Sequence, residues 1–303
     1  MDNQKLASGT RKRQRRRATP LALRLLRLWF QVVGRAAPGI AARRAYRLWF
    51  QTRRFGEPPR ETGWLNDAQQ EYIEHPAGPL AATIWGKDNR PTVLLLHGWN
   101  GRGSQMGAFA GPLVDAGYRV VAYDLPAHGR SPGNSTNLFE VIDTLRHVAG
   151  MFTPVRAIVA HSFGAVSAIM AAHEGLPVER LVCISPPNSL RFMLERFGRI
   201  LAIPPRAQAA LARRIETNFG NNVWERVSMD HLVATLRVPG LVVHDEQDYD
   251  VAISEGDAIA RSWPKAQLVR TRGLGHRRIL RDTKVVRTVV GFIQGVPGSD
   301  GAS

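Results

Sequence analysis

The five residues Ala160-His161-Ser162-Phe163-Gly164 carry the clearest chemistry in this chain. An apolar run ends at Ala160 and a helical run opens at Ala165, so Ser162 occupies a tight strand–turn–helix corner. Such a corner presents a serine hydroxyl as an exposed nucleophile, and it requires small residues two before and two after the serine. Ala160 and Gly164 meet that requirement. Alanine stands where glycine is more usual, which is tolerable because only bulk is forbidden. A serine that merely starts a helix is the competing reading of this motif taken alone.

A hydroxyl attacks well only when a base takes its proton. Of nine histidines, His276 alone follows the acid-rich segment Val243-His244-Asp245-Glu246-Gln247-Asp248-Tyr249-Asp250-Val251, and Gly273 and Gly275 let the backbone turn sharply beside it. One of the four acids in that segment should accept a hydrogen bond from the imidazole and fix its tautomer. The segment His97-Gly98-Trp99-Asn100-Gly101 ends another apolar run. There the N–H of Trp99, with that of Phe163, can form an oxyanion hole, one such donor being worth about 2.7–4 kcal/mol. His97 itself reads as structural. Tyr123-Asp124-Leu125-Pro126-Ala127-His128-Gly129-Arg130-Ser131 is rich in turn formers and reads as scaffold, with His128 a weaker candidate base.

These segments need a frame that brings them together. Short apolar runs at 92–96, 119–123, 157–160, 181–185, 241–244 and 267–270 alternate with helical stretches. That pattern predicts a mostly parallel sheet covered on both faces, with ligands bound beyond the carboxyl ends of the strands. Upstream, 71–75 and 80–85 flank Pro76-Ala77-Gly78-Pro79 and read as an antiparallel pair. Between 185 and 241 about 55 residues lack any strand pattern, and an unstructured loop of that length is improbable. Phe192, Met193, Phe197 and Leu201 recur there at helical spacing, so residues 188–236 are expected to form a small helical cap. Phe192, Phe197 and Leu201 are its candidate substrate-binding residues. Ordinary surface helices are the alternative.

Taken in order, the five motifs resemble the α/β-hydrolase family, over roughly residues 70–295. The resemblance implies an eight-stranded sheet with the second strand antiparallel and a cap after the sixth strand. It also implies the chain order Ser162, Asp248, His276 for nucleophile, orienting acid and base; Asp248 is chosen by its Asp-x-x-Val spacing to Val251. The expected activity is that of a serine esterase working through an acyl-enzyme, with no cofactor and no metal. Ser162 argues against a haloalkane dehalogenase, which would place a carboxylate there. Thioester, amide or C–C bond hydrolysis by the same residues are the rivals. A non-catalytic scaffold is a further one, which the complete triad argues against. The expected substrate is an apolar small-molecule ester.

Charge divides the 303 residues unevenly. Residues 1–63 hold 16 Lys and Arg against 3 Asp and Glu, a balance of +13 within the total of +16. The remainder, 64–303, is nearly neutral and is the expected hydrolase domain. The single cysteine, Cys183, lies in an apolar run and excludes an intrachain disulfide. Residues 1–19, with the basic run Arg11–Arg17, read as disordered. Two helices are expected at 21–33 and 40–51, each containing Arg-Leu-Trp-Phe-Gln. On a helical wheel Arg24, Arg27 and Gln31 oppose Leu23, Leu26, Trp29, Phe30 and Val33. Arg43, Arg44, Arg47 and Gln51 likewise oppose Ile40, Leu48, Trp49 and Phe50. The first apolar stretch is too short and too charged to span a bilayer and a poor signal peptide, so a cytoplasmic protein is the expectation, with peripheral attachment to the inner membrane face as an alternative to a free one. An anionic membrane surface bound through residues 11–51 is one expected partner. Packing of the hairpin on the hydrolase domain or on another subunit is the competing expectation. Nucleic acid is not an expected partner, because the basic charge is confined to a tail with no recognised binding module.

Overall fold

The computed structural model describes residues 20–295. The basic run 11–17, expected to be disordered, lies outside them. The core is an eight-stranded sheet in the order β1-β2-β4-β3-β5-β6-β7-β8. Its strands are β1 (Gln69–Ile73), β2 (Leu80–Trp85), β3 (Thr92–Leu96), β4 (Arg119–Tyr123), β5 (Val155–His161), β6 (Arg180–Ile184), β7 (Gly240–Asp245) and β8 (Ala266–Thr271). β2 runs antiparallel to both β1 and β4, and the other neighbours are parallel. The expected α/β architecture with one antiparallel second strand is therefore present. β1 lies two residues earlier than the sequence pattern suggested. After Ile73 the chain reverses through a turn over Pro76-Ala77, closed by Gly78 N–H donating to the His75 carbonyl at 2.8 Å.

The central strands are apolar on both faces because both are covered. Every residue of β3 is buried, as are all but one of β5. The helices Leu138–Met151 and Phe163–His173 cover one face with Val141, Leu145, Val166 and Ile169. The helix Thr283–Gln294 covers the other with Val285, Val289 and Ile293. Cys183 lies on β6 in this core, and burial pushes its thiol well above the usual range, so it packs as a small hydrophobe.

Between β6 and β7 the chain forms a helical layer, chiefly the helices Leu190–Leu201 and Pro205–Phe219. Ser189 caps the first of these by accepting from Phe192 N–H at 3.1 Å. Two further helices, α1 (Leu21–Ala36) and α2 (Pro38–Phe50), complete this layer. Of the two expectations for these helices, the structure shows the packing one: they lie against the cap. Ala41, Ala42 and Ala45 of α2 are buried with Ala207, Leu211 and Ile215 of the second cap helix. Small residues let the two backbones approach closely. Gly34 does the same for α1, since a Cβ there would come within 2.7 Å of Pro204 Cδ.

Phe30 is buried as its place on the wheel implies, but three other residues depart from their expected faces. Ile40, placed on the apolar inner face, is 58% exposed, and the inner face of α2 is its alanines. Arg27 and Gln31, placed on a free polar face, bind carbonyls at the end of the first cap helix. Arg27 Nε–H donates to the Ile200 carbonyl at 2.7 Å, and Gln31 Nε2–H donates to that of Ala202. Those carbonyls have no acceptor role left inside their own helix, which is why long polar side chains of α1 reach them.

Candidate active site

Ser162 takes φ 53° and ψ −117°, between the end of β5 and the helix Phe163–His173. A non-glycine residue in this conformation carries strain of about 1–3 kcal/mol, held only where the surroundings over-determine it. Here they do. Ser162 N–H donates to the Ile184 carbonyl of β6 at 2.9 Å. Gly164 is pressed on the end of β3, where a Cβ would approach the His97 carbonyl oxygen at 2.6 Å. Gly98 faces the serine, its ideal Cβ position lying 3.0 Å from Ser162 Cβ. The turn thus needs glycine on both sides of the hydroxyl, one nearby in sequence and one from the loop after β3.

His276 Nε2 lies 3.1 Å from Ser162 Oγ, and His276 Nδ1 lies 2.7 Å from Asp248 Oδ2. An ionised carboxylate only accepts, so Nδ1 carries the proton and Nε2 presents its lone pair to the serine hydroxyl. Asp248 Oδ1 accepts from the N–H groups of Asp250 and Val251 at 2.8 and 2.9 Å. Burial pushes the Asp248 carboxyl pKa up, but the hydrogen bond and charge of His276, with those two N–H groups, outweigh it and hold the pKa down to about 2. The aspartate is ionised at neutral pH and fixed in orientation.

The neighbouring acids have other partners. Asp245 Oδ2 accepts from Leu274 N–H at 2.9 Å and from the Thr271 hydroxyl at 2.8 Å, tying the acid loop to the loop that carries His276. Asp250 pairs with Arg196 of the cap. Glu246 faces Arg272 at 3.9 Å on the surface. His161, which the sequence reading passed over, donates from Nε2 to the His276 carbonyl at 2.9 Å, and its ring lies 4.6 Å from that of His276. Burial, with the charge of His276, keeps His161 well below the ordinary histidine pKa and therefore neutral. Nothing in the sequence marks it except its place before the serine.

Trp99 and Phe163 meet edge to face, with ring centroids 5.0 Å apart, directly beside Ser162. Phe163 is the first residue of its helix, so its N–H has no intrahelical acceptor. His97 is buried, accepts from Leu125 N–H at 3.0 Å and donates to the Gly98 carbonyl at 2.8 Å. Burial lowers its pKa to about 4. His128 donates from Nδ1 to the Pro126 carbonyl at 2.8 Å, and its ring packs on that of Trp99. Neither reaches Ser162 as His276 does. Asp124 accepts from Gly103 N–H at 2.6 Å and Arg130 N–H at 2.7 Å, closing the turn-rich segment beneath the site. Among the described residues, no group of three or more His, Cys, Asp or Glu is placed to hold a metal ion.

The hydroxyl opens into a cavity of about 460 Å³ between the sheet and the helical layer. Phe192, Phe197 and Leu201 all line it, beside Met193 and Phe219 of the cap and Phe139. Leu23, Leu26, Leu48, Trp49 and Phe50 of α1 and α2 line it as well. This part of the wall lies outside the expected substrate-binding residues. Its signal was the repeated Leu-Trp-Phe, whose second copy supplies Trp49 against Phe197 at 5.1 Å and Phe50 against Phe219 at 5.7 Å.

The sequence profile described as the Alpha/beta hydrolase family matches residues 93–288. A serine hydrolase-like protein of Dictyostelium discoideum is 32% identical over 113 residues, 35% of this chain and 31% of that protein. The AB hydrolase superfamily protein YfhM of Bacillus subtilis is 36% identical over 134 residues, 41% of this chain and 46% of that protein. The chain thus spans less than half the length of these curated relatives. A crystal structure titled as a membrane phospholipase A, a bacterial virulence factor, superposes with a TM-score of 0.61 at 17% identity, covering 91% of this chain and 97% of that one. That likeness is one of fold.

Proposed function

The chain belongs to the Alpha/beta hydrolase family, and we propose that within it this protein is a serine esterase acting on apolar carboxylic esters through an acyl-enzyme. The observation that carries the reading is the hydrogen-bonded line from Asp248 through His276 to Ser162 at 2.7 and 3.1 Å, opening into an apolar cavity. In this reading Ser162 Oγ attacks the ester carbonyl carbon while His276 Nε2 accepts its proton. The carbonyl oxygen, now an oxyanion, is held by the N–H groups of Trp99 and Phe163, and the dipole of the helix behind Phe163 favours that charge. His276 returns the proton to the leaving alkoxide, and the alcohol departs. A water then gives a proton to His276 and attacks the acyl carbon, and release of the acid restores Ser162.

The apolar lining supports an acyl or alcohol group of hydrocarbon character. A thioester or amide carbonyl could be attacked by the same atoms, and the carbonyl's leaving group is therefore the quantity to measure. A fluorophosphonate probe should label Ser162. Turnover of p-nitrophenyl esters of increasing chain length, run beside acyl-CoA thioesters and anilides, should be highest on esters and be abolished in Ser162→Ala. Undiminished labelling of folded Ser162→Ala would remove the assignment. Preferred turnover of thioesters or anilides would redirect it.

A further inference from the structure

Helix α1 is apolar on two opposite sides. Its inner side, with Leu26, Phe30 and Gly34, meets α2 and the cap. On the outer side Leu21, Leu25, Leu28 and Val32 are 71%, 58%, 60% and 61% exposed. Their spacing of four, three and four residues places them on one line roughly 16 Å long. A solvent-facing helix side normally carries polar residues, and four large aliphatic residues in line are not scattered surface hydrophobes.

We propose that this outer face of α1 docks on an anionic lipid bilayer surface. The charge around it selects the occupant. Arg24 and Arg35 are exposed on the same helix, and the basic run Arg11–Arg17 precedes it in sequence. Leucines entering the acyl boundary beside arginines at the phosphates is the arrangement of an interfacial helix. A second copy of the chain fits poorly, because a contact through α1 would bring together two segments of +13 each. Among the described residues no helix is long and apolar enough to cross a membrane, so the contact is one of lying on the surface. Leu23 and Leu26 on the inner side of α1 line the cavity, so the docked helix is also part of the cavity wall.

The test is sedimentation of the full chain with vesicles of phosphatidylcholine alone or mixed with phosphatidylglycerol, at low and high salt. The protein should bind the mixed vesicles, and salt should weaken that binding without abolishing it. The double variant Leu25→Asp, Leu28→Asp should lower the partition coefficient on the order of a hundredfold, with unchanged Tm, since both side chains are exposed. Replacing the arginines of 11–17 by glutamine should remove the salt-sensitive part. The proposal fails if the parent protein stays in the supernatant with mixed vesicles at low salt, or if the double variant binds as the parent does. It also fails if the parent is a dimer in analytical ultracentrifugation that the double variant converts to monomer, because the stripe would then serve a second copy. Esterase activity is not read in any arm.

Discussion

The backbone N–H of Arg53 donates to Asn100 Oδ1 at 2.7 Å, joining the segment that leaves α2 to the loop that carries Trp99. The preceding residue adds two further ties. Thr52 N–H donates to the Asn134 carbonyl at 3.0 Å, and the Thr52 hydroxyl donates to that of Ala127 at 2.7 Å. Residues upstream of the first strand therefore hold both the loop that carries Trp99 and the turn-rich segment whose His128 ring packs on Trp99.

Asn100 takes φ 58°, a conformation glycine also adopts freely. Asn100→Gly should therefore keep the turn and delete only the acceptor. We expect kcat to fall by about five- to tenfold with KM little changed and Tm nearly constant. A variant with parental kcat would show that the tie to Arg53 does not position Trp99.

Asp248→Asn should cost about 10⁴ in kcat, because an amide favours the wrong imidazole tautomer. Asp250→Asn removes only the pairing with Arg196 of the cap and should cost far less. Steady-state rates of both variants on one ester decide between them, and a greater loss in Asp250→Asn would transfer the orienting role.

Substitutions in α2 should alter chain-length preference as strongly as those in the cap. Leu48→Trp adds bulk to the cavity wall and should lower kcat/KM for long-chain esters by about tenfold or more while sparing short ones. Phe192→Ala with Phe197→Ala should shift preference toward longer chains. Equal losses on every ester, accompanied by a lower Tm, would mean that these residues only pack.

The protein should lose stability in mild acid. His97, His128, His161 and His244 are buried, and burial is the first cause lowering each pKa, to about 4 for His97 and about 3 for His128. Below the unfolded-state value of about 6.5 the unfolded chain binds protons that these native imidazoles refuse, so unfolding becomes easier as pH falls. Asp248 adds to this below about pH 4, since its native pKa is also depressed. Urea unfolding between about pH 7 and about pH 5 should show a falling midpoint, with a slope approaching roughly one proton per histidine. A flat profile would mean that these imidazoles take up protons without unfolding.

Much of this protein is written locally. The conformation of Ser162 follows from small residues at fixed offsets, and the strand runs follow from uninterrupted apolar stretches buried on both faces. The order of the motifs along the chain then restricts the sheet, because parallel strands joined by helices place every post-strand loop at the same edge. Those features depend on near neighbours in sequence, so sequence reveals them.

Tertiary packing decided the rest. Four acids share one loop, and only the fold of that loop aims Asp248 at His276, while Asp245 turns to Leu274 and Asp250 to Arg196. Helix α1 has the apolar side expected from the wheel, with Leu26 and Phe30, and a second one opposite it, with Leu21, Leu25, Leu28 and Val32, and periodicity alone does not say which faces the interior. The approach of Gly34 to Pro204 and Ala207 selects Phe30 as the buried side and leaves Leu25 and Leu28 outside. The cavity wall at Leu23, Leu26 and Trp49 likewise lies more than a hundred residues from Ser162 in sequence. No local periodicity encodes that meeting, because it depends on which surfaces remain uncovered once the sheet and its cap have formed.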